Sequence, residues 1–215
     1  MGVFLKRHID ENILIGVWEI TESVDFFLSN LTLNEKEQKL FNNMKHNLRR
    51  THWLSYRLLI KEIFESPDIE TEIHYDNNGK PFFTTLKHHL SISHSGIFSA
   101  CILSQKKKVG IDVEKISTKL LKIEHKFLGE NEIKFTEGIH KIELLTILWG
   151  AKEALYKSYG KGELSFIDNL KLDEFDYCEK GETKGFVIVD GAVLEHRVFF
   201  EKIDDYFLVY TIEIE

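Results

Sequence analysis

The clearest alternation of apolar and polar positions in the chain lies in VGIDVEKI, residues 109–116. Because successive side chains of a strand point to opposite faces, this alternation predicts a strand with one buried face. The predicted buried face carries Val109, Ile111 and Val113, and the opposite face carries Gly110, Asp112 and Glu114. The strand therefore places two carboxylates and a glycine side by side.

Apolar residues at three- and four-residue intervals predict helices in two longer segments. One is LRRTHWLSYRLLIKEIF at 48–64, and the other is IELLTILWGAKEALYKSYG at 142–160, whose last residue is a helix-ending glycine. LNEKEQKLFNNM at 33–44 also begins as a helix, with Asn34 as its N-cap. A further helix is predicted to begin within 125–135.

Shorter apolar runs bounded by turn residues predict strands. LSISHSGIFSACILS at 90–104 is predicted to be a hairpin, with its tight turn at His94-Ser95-Gly96. DNNGKPFF at 76–83 predicts a turn, because Asn-Gly and Lys-Pro pairs both favour bends. The other predicted strands are 12–20, 166–175 and 184–191, followed by a hairpin of 196–203 and 205–214.

Helices followed by strands occur in the same order in both halves of the chain. WLSYRLLIK at 53–61 resembles WGAKEALYK at 149–157, with Trp, Leu and Lys in the same register. If this similarity reflects an internal duplication, it predicts an α+β fold of two similar subdomains related by a pseudo-twofold axis. Antiparallel sheets would pack on helices, with a cleft between the subdomains where a site could form. The predicted subdomains are 1–104 and 105–215, and the second carries the candidate metal site.

Composition and charge narrow the function classes. Hydrophobic residues make up 43% of the 215 residues and charged residues 29%, which suits a globular protein with a sizeable core. The net charge of -7 argues against non-specific nucleic-acid binding, so an anionic partner requires a local basic patch. Cys101 and Cys178 lie far apart and favour a reducing compartment over a disulfide framework. Charges interrupt the apolar runs near the start of the chain, so neither a signal peptide nor a membrane span is predicted, and we expect a cytoplasmic protein.

The two carboxylates of the predicted strand are candidates for binding a cation. Asp112 and Glu114 are two residues apart, so their side chains point the same way, about 6.5–7 Å apart. Carboxylate oxygens without nearby cysteine favour Mg²⁺ over zinc. A sheet face exposed to solvent would show the same alternation of apolar and acidic residues. Gly110 would let a ligand approach the backbone closely, or it would simply lead from the loop into the strand.

One face of the second long helix adds charged and aromatic side chains. Glu153 and Lys157 are four residues apart, in the order that an ion pair on a helix surface prefers. An exposed pair of this kind contributes only about 0.3–0.5 kcal/mol, but the aromatic neighbours indicate a partly buried cleft wall. If Glu153 faces the strand, three carboxylates surround one cation with Lys157 beside it. The whole predicted face consists of Trp149, Lys152, Glu153, Tyr156 and Lys157.

Two short segments of the first half carry groups that suit a phosphate. Lys80 precedes Pro81 in the GKP segment and offers a point charge to a phosphate. His94 and the hydroxyls of Ser93 and Ser95 can donate hydrogen bonds to phosphate oxygens. A histidine in a turn is commonly just hydrated, so His94 alone does not establish a site.

Taken together, GIDVEKI (110–116) and WGAKEALYKSYGKG (149–162) resemble the two signature motifs of the 4′-phosphopantetheinyl transferase superfamily, G-x-D-x-E and W-x-x-K-E-A-x-x-K. The upstream GKP and SHSG segments also resemble that family. The length and the suspected duplication resemble its Sfp-type branch, in which one chain holds two similar halves. The resemblance runs from about residue 34 to residue 162.

The resemblance implies transfer of the phosphopantetheine arm of coenzyme A to a serine of an acyl or peptidyl carrier protein, with release of 3′,5′-ADP. It implies that Asp112, Glu114 and Glu153 hold Mg²⁺, with Mn²⁺ as an alternative ion, against the pyrophosphate. Lys157 would steady the phosphate under attack, and Glu153 would help to deprotonate the serine. Glu132 matches another acid suspected of acting as the base, and its role is open.

The resemblance also implies contacts with coenzyme A. Lys80, Ser93 and His94 match coenzyme-contacting positions, with His94 near the 3′-phosphate. Further phosphate contacts are implied, on a looser alignment, for Arg50, Thr51, Lys36 and Lys39.

The expected partners are coenzyme A and an apo carrier protein, with no nucleic acid and no membrane, and two halves in one chain favour a monomer. Carrier proteins are generally acidic, as this chain is, so docking would need an apolar groove or a basic patch such as MKHNLRR at 44–50. Two alternatives share the same features. One is a Mg²⁺-dependent nucleotide pyrophosphohydrolase, for which the sequence has no hydrolase motif or P-loop, and the other is a non-catalytic module that binds coenzyme A or a carrier protein.

Overall fold

A computed structural model describes residues 2–64 and 72–214 as a mixture of helices and antiparallel sheets, which confirms the predicted α+β class. The first half contains β1 (Gly2–His8), β2 (Ile13–Glu19), α1 (Val24–Asn30), α2 (Glu35–Asn43), α3 (Asn47–Ile63), β3 (Ile73–Tyr75), β4 (Pro81–Phe83), β5 (His89–Ser95) and β6 (Phe98–Ser104). The second half contains β7 (Val109–Lys115), α4 (Glu130–Phe135), α5 (Lys141–Tyr159), β8 (Leu170–Leu172), β9 (Lys180–Val189), β10 (Ala192–Ile203) and β11 (Tyr206–Glu213). Two short 3₁₀ turns, Thr118–Lys122 and Glu124–Lys126, connect β7 to α4.

The first sheet has the strand order β1-β2-β6-β5, and every neighbouring pair is antiparallel. Strand β6 is buried along its whole length, because helix α3 covers one face of the sheet and the second sheet covers the other. The apolar stripe predicted for α3 is buried as expected. It consists of Trp53, Tyr56, Leu59, Ile60 and Ile63.

The second sheet has the order β7-β11-β10-β9-β8, and helix α5 packs against β7 and β11. The alternation predicted for β7 is confirmed, since Val109, Ile111 and Val113 enter the core that both sheets share. The opposite face of β7 meets α5 rather than solvent. At Gly110 a side-chain carbon would lie 1.8 Å from the carbonyl oxygen of Ala154, so glycine lets the helix, and not a ligand, approach this strand.

The helix ends follow the sequence closely. Asn34 caps α2 through a capping box with Glu37, whose carboxylate returns to the Asn34 amide. Gly160 ends α5 in the left-handed region at φ 63°, where glycine has no steric penalty. None of the helices described in 2–64 and 72–214 has both the length and the apolar character that crossing a membrane requires.

Some predicted elements are displaced or shortened. The hairpin turn after β5 lies at 96–97, so His94 and Ser95 belong to the strand and not to the turn. Within 166–175 only Leu170–Leu172 is a strand, and within 125–135 the helix begins at Glu130. Similarity of the two halves under a pseudo-twofold axis stays a prediction, as does a subdomain boundary between 104 and 105.

Candidate active site

A cavity of about 470 Å³ is lined by residues from both halves of the chain. Its walls come from the segment around β3 and β4, from β5, from β7 and from helix α5. The predicted candidates among its lining residues are Lys80, Ser93, His94, Asp112, Glu114, Glu153 and Lys157. The fold therefore brings together most of the residues that the sequence singled out.

Asp112 lies at the floor of this arrangement and is only 5% exposed. Its Oδ1 atom accepts a hydrogen bond from Ser93 Oγ at 2.7 Å and an ion-paired hydrogen bond from Lys157 Nζ at 2.7 Å. Lys157 also donates to the carbonyl oxygen of Ile111 at 3.1 Å. The second oxygen, Oδ2, is buried without a hydrogen-bond partner among the described residues.

Glu114 and Glu153 complete the acidic group. Burial raises the pKa of Glu114 to about 7, and the nearby carboxylates of Asp112 and Glu153 add to that rise. Burial also raises the pKa of Glu153, Lys157 opposes the rise, and Asp112 adds to it. The three carboxylates are thus close enough to repel one another in a partly desolvated site.

The chemistry of these side chains fits a hard divalent cation. An unpartnered buried carboxylate oxygen and two carboxylates with raised pKa values would all be relieved by positive charge. The donors are oxygens only, which suits Mg²⁺ or Mn²⁺ better than zinc. Across residues 2–64 and 72–214, no group of three or more His, Cys, Asp or Glu side chains is already arranged to hold a metal ion. Lys157 occupies Asp112 Oδ1 in this arrangement.

The predicted charged face of α5 is divided between two environments, so its treatment as one wall was wrong for Lys152. That side chain is fully buried and donates to Glu132 Oε2 at 2.6 Å and to the carbonyl oxygen of Phe166 at 2.8 Å. At 3.6 residues per turn the predicted face spans about 140°, and Lys152 lies at its edge. The expected partner of Lys157 was also wrong, because Lys157 pairs with Asp112 and not with Glu153.

Glu132 has no access to the cavity. Its carboxylate is 2% exposed and accepts bonds from Lys152 Nζ, from the Gly129 amide at 2.8 Å and from the Leu172 amide at 3.2 Å. With these donors in place, the carboxylate joins α4, α5 and β8. This geometry favours an anchoring role over that of a base.

Lys80 reaches from the first half to the end of α5. Its ammonium donates to the carbonyl oxygen of Ser158 at 2.9 Å, and its stem packs on Gly160. Burial lowers the pKa of Lys80 from its ordinary value. An anion entering the cavity would meet this lysine at its edge.

His94 lies on β5 and is held by a second histidine. Its ring stacks on His52 with centroids 4.4 Å apart, and His52 Nε2 lies 2.8 Å from the carbonyl oxygen of Gly96. Although His94 is partly exposed, desolvation at the cavity wall lowers its pKa to about 4, and its interactions with His52 and Lys157 act in the same direction. His94 is therefore neutral near pH 7 and can donate one hydrogen bond into the cavity.

The other predicted phosphate contacts lie outside the cavity lining. Arg50 stacks over Phe41, with 5.1 Å from its guanidinium carbon to the ring centroid, and Thr51 donates to the Asn47 carbonyl at 2.9 Å. Both residues belong to the first turns of α3, beside His52. Lys36 and Lys39 are exposed on α2. Their contacts with a coenzyme stay predictions.

Sequence reasoning missed two tyrosines of the cavity wall. The hydroxyls of Tyr56 and Tyr75 are 2.8 Å apart, and Arg57 donates to the Tyr56 hydroxyl at 2.6 Å. Tyr56 was assigned to the apolar stripe of α3. Its polar tip, with Arg57 as the next residue in the sequence, was the signal that could have indicated a wall of the site.

Comparisons with known proteins find relatives with matching sequence over the region that carries these residues. The family model ACPS, 4′-phosphopantetheinyl transferase superfamily, matches residues 108–211. The chain is 31% identical over 165 residues to 4′-phosphopantetheinyl transferase gsp of Aneurinibacillus migulanus, covering 73% of this chain and 68% of that protein. It is 28% identical over 180 residues to 4′-phosphopantetheinyl transferase ffp of Bacillus subtilis, covering 81% and 73% respectively. A further 4′-phosphopantetheinyl transferase of Bacillus subtilis is 33% identical over 101 residues, 45% of this chain and 42% of that protein.

The matched region 108–211 contains β7 and α5, which carry Asp112, Glu114, Glu153 and Lys157. The alignments with the relatives named gsp and ffp extend beyond it and cover most of the chain. Motifs, cavity and relatives therefore lead to one conclusion. The chain belongs to the 4′-phosphopantetheinyl transferase superfamily.

Proposed function

We propose that this chain transfers the 4′-phosphopantetheine group of coenzyme A to a serine hydroxyl of an apo acyl or peptidyl carrier protein, releasing 3′,5′-ADP. The observation that carries the proposal is the meeting of Asp112, Glu114, Glu153 and Lys157 in one cavity shared by both halves. The names of the relatives support the transfer, and the chemistry of the cavity supports the substrate class.

Asp112, Glu114 and Glu153 would hold Mg²⁺, or Mn²⁺ in its place. When bound, the ion would neutralise the pyrophosphate of coenzyme A, where negative charge builds up during transfer. Among these oxygens, Oδ2 of Asp112 is the strongest candidate ligand, because it has no hydrogen-bond partner in the described chain while Oδ1 already accepts hydrogen bonds from Ser93 and Lys157.

The remaining chemistry is assigned to two side chains of α5. The serine oxygen forms a bond to the phosphorus that carries pantetheine, while the bond from that phosphorus to the oxygen of 3′,5′-ADP breaks. Glu153 lines the cavity and would take the serine proton, directly or through a water, on the carboxylate oxygen that does not face the ion. Lys157 donates to the phosphate under attack and stabilises its developing charge.

The coenzyme is assigned to the wall formed by the first half. Lys80 contributes a point charge, and neutral His94 donates one hydrogen bond, both from cavity-lining positions. Ser93 lies on the same wall. Arg50 and Thr51 would extend this wall beyond His52 if the 3′-phosphate reaches the start of α3.

The carrier protein is proposed to dock near the basic segment 44–50. In this segment Leu48 is 61% exposed and Arg49 is exposed, so an apolar contact is flanked by positive charge. Charge reversal of Arg49 should raise the KM for an acidic carrier protein. An unchanged KM would remove this docking proposal. We propose that the protein acts as a monomer in the cytoplasm, without a nucleic-acid partner.

The test is an incubation of the purified protein with coenzyme A, Mg²⁺ and an apo carrier protein. We expect the carrier to gain the mass of phosphopantetheine and an equal amount of 3′,5′-ADP to form, and a carrier whose acceptor serine is replaced by alanine to gain nothing. Loss of coenzyme A without a mass gain would indicate a pyrophosphohydrolase. Binding of coenzyme A without either change would indicate a non-catalytic module.

A further inference from the structure

Two serines on β5 join the two sheets at the floor of the cavity. Strands β5 and β7 lie side by side but belong to different sheets, so no ladder of backbone bonds connects them. Ser91 Oγ accepts a bond from the Ile111 amide at 3.1 Å, and Ser93 Oγ donates to Asp112 Oδ1 at 2.7 Å. The two serines are two residues apart and therefore point to the same side of β5.

The hydroxyl of Ser93 is committed to Asp112. Ser93 is 7% exposed, and a hydroxyl has a single proton to donate. Because that proton lies in a bond to a carboxylate, only the oxygen lone pairs of Ser93 remain for another ligand. Lone pairs repel a phosphate oxygen. A direct contact with a coenzyme phosphate would require breaking a charge-assisted bond.

The same bond decides which oxygen of Asp112 is available. Oδ1 accepts from both Ser93 and Lys157, whereas Oδ2 is buried with no partner in the described part of the chain. Two donors on one oxygen fix the rotation of the carboxylate. Ser93 holds this rotation from the first half, while Lys157 holds it from α5.

We propose that Ser93 is a positioning residue for Asp112, and that its hydroxyl presents Asp112 Oδ2 to a divalent cation instead of contacting coenzyme A. This role rests on the proposed function, since it requires the cation that Asp112, Glu114 and Glu153 would hold. It differs from the coenzyme contact that the family resemblance implies for Ser93. Removing a residue that orients a metal ligand typically weakens metal binding, or lowers activity, about 10–100-fold.

The experiment measures Mn²⁺ affinity by the electron paramagnetic resonance signal of the free ion, with saturating coenzyme A and no carrier protein. Ser93→Ala and the nearly isosteric Ser93→Cys, whose thiol is a weak donor, should both weaken Mn²⁺ binding about tenfold or more. Ser91→Ala is the matched control, because Ser91 is equally buried but bonds to backbone, and it should leave Mn²⁺ affinity within about twofold of wild type. Thermal unfolding of each variant establishes that it is folded.

A second measurement separates the two roles of Ser93. Binding of 3′,5′-ADP in EDTA needs no metal, so it should be the same for wild type and Ser93→Ala. Unchanged Mn²⁺ affinity in both Ser93 variants would overturn the positioning role. Weaker 3′,5′-ADP binding in EDTA would also overturn it and restore the coenzyme contact. Failure of wild type itself to bind Mn²⁺ would instead contradict the metal in the proposed function.

Discussion

The two long helices each bury one cation that pairs with a glutamate 20 residues earlier in the chain. In the first half Arg57 of α3 pairs with Glu37 of α2, and in the second half Lys152 of α5 pairs with Glu132 of α4. Each glutamate also bonds to the backbone amide at the N-cap of its own helix. One ion-pair arrangement thus fastens a short helix to a long helix in both halves.

The two arrangements differ in depth. Arg57 lies over the Trp53 ring at 3.4 Å, and its partner carboxylate keeps 14% exposure, so water reaches this pair. Lys152 has no exposure and also bonds to two backbone carbonyls. The more deeply buried pair, Lys152 with Glu132, lies next to Glu153 in the chain, whereas the residue after Arg57 is the buried Leu58. The half that holds the candidate chemistry is therefore the half whose helix is fastened more deeply.

The register of these contacts differs by one residue from the similarity seen in the sequence. The ion pairs match Arg57 with Lys152, while the sequence similarity matches Lys61 with Lys157. The ion pairs and the sequence identities thus align the two halves one residue apart. Substitutions at matched positions of α3 and α5 can show how much each helix contributes to activity and to stability.

The largest expected effect is a loss of activity on substitution in α5 that does not occur on substitution in α3. Glu153→Ala should lower carrier modification at least about 1,000-fold, because it removes an oxygen from the proposed ion site, where several kcal/mol of stabilisation are at stake. Initial rates by mass spectrometry of the carrier measure the loss. Glu62→Ala, an exposed acid on α3, is the control and should retain wild-type rates. Similar losses in both variants would contradict an ion site whose carboxylates all come from the second half.

The next effect concerns stability and compares the two ion pairs directly. Lys152→Met should lower the free energy of unfolding by about 3–5 kcal/mol, because it leaves Glu132 charged and buried. Arg57→Met should cost less, about 1–3 kcal/mol, since water can reach Glu37. Urea unfolding measures both values. Adding Glu132→Gln to Lys152→Met should recover part of the loss, and equal costs for the two single variants would remove the difference in depth.

Lys157 should affect the rate more than binding. Lys157→Ala is expected to lower kcat about 100-fold with less than a tenfold change in KM for coenzyme A, because its donor acts on charge that develops during transfer. Steady-state kinetics with a saturating carrier protein separate the two constants. Lys61→Ala, the position matched by the sequence similarity, is the control. A change confined to KM would show that Lys157 only binds the coenzyme.

The smallest expected effect is a pH dependence of stability that arises in the second half. Ser158 of α5 bonds to buried His196 at 3.1 Å, whereas Ser55 of α3 bonds to Ser99, which does not titrate. Burial lowers the pKa of His196, the Leu194 carbonyl and Glu213 oppose this, and Lys108 adds to it.

The unfolded chain therefore takes up this proton first as the pH falls. The stabilising effect of neutral His196 is complete above pH 6.5 and is lost below it, at most about 1.4 kcal/mol per pH unit. His196→Gln should flatten the fall of the melting temperature between pH 7.5 and 5.5. The exposed His8→Gln is the control, and an equal flattening by both variants would assign the effect elsewhere.

Particular residues show how far the sequence could lead. The alternation in 109–116 predicted β7 and its buried face, and helical spacing predicted α3 and α5, because these patterns are local. The family motifs predicted that Asp112, Glu114, Glu153 and Lys157 share a site, and all four line one cavity. The directions of Lys152 and Gly110 could not be predicted, since each depends on which element packs against it.

The sequence by itself determined the two long helices, strand β7, the caps at Asn34 and Gly160 and the family resemblance, because periodicity, capping residues and motif order are written along the chain. Tertiary structure alone decided that Lys152 is buried against Glu132, that Lys157 pairs with Asp112 and that the Ser93 hydroxyl donates its hydrogen bond to Asp112. The physical reason is that a buried charge takes the partner which the packing of distant elements brings within hydrogen-bond distance. Spacing along one helix or strand does not contain that information.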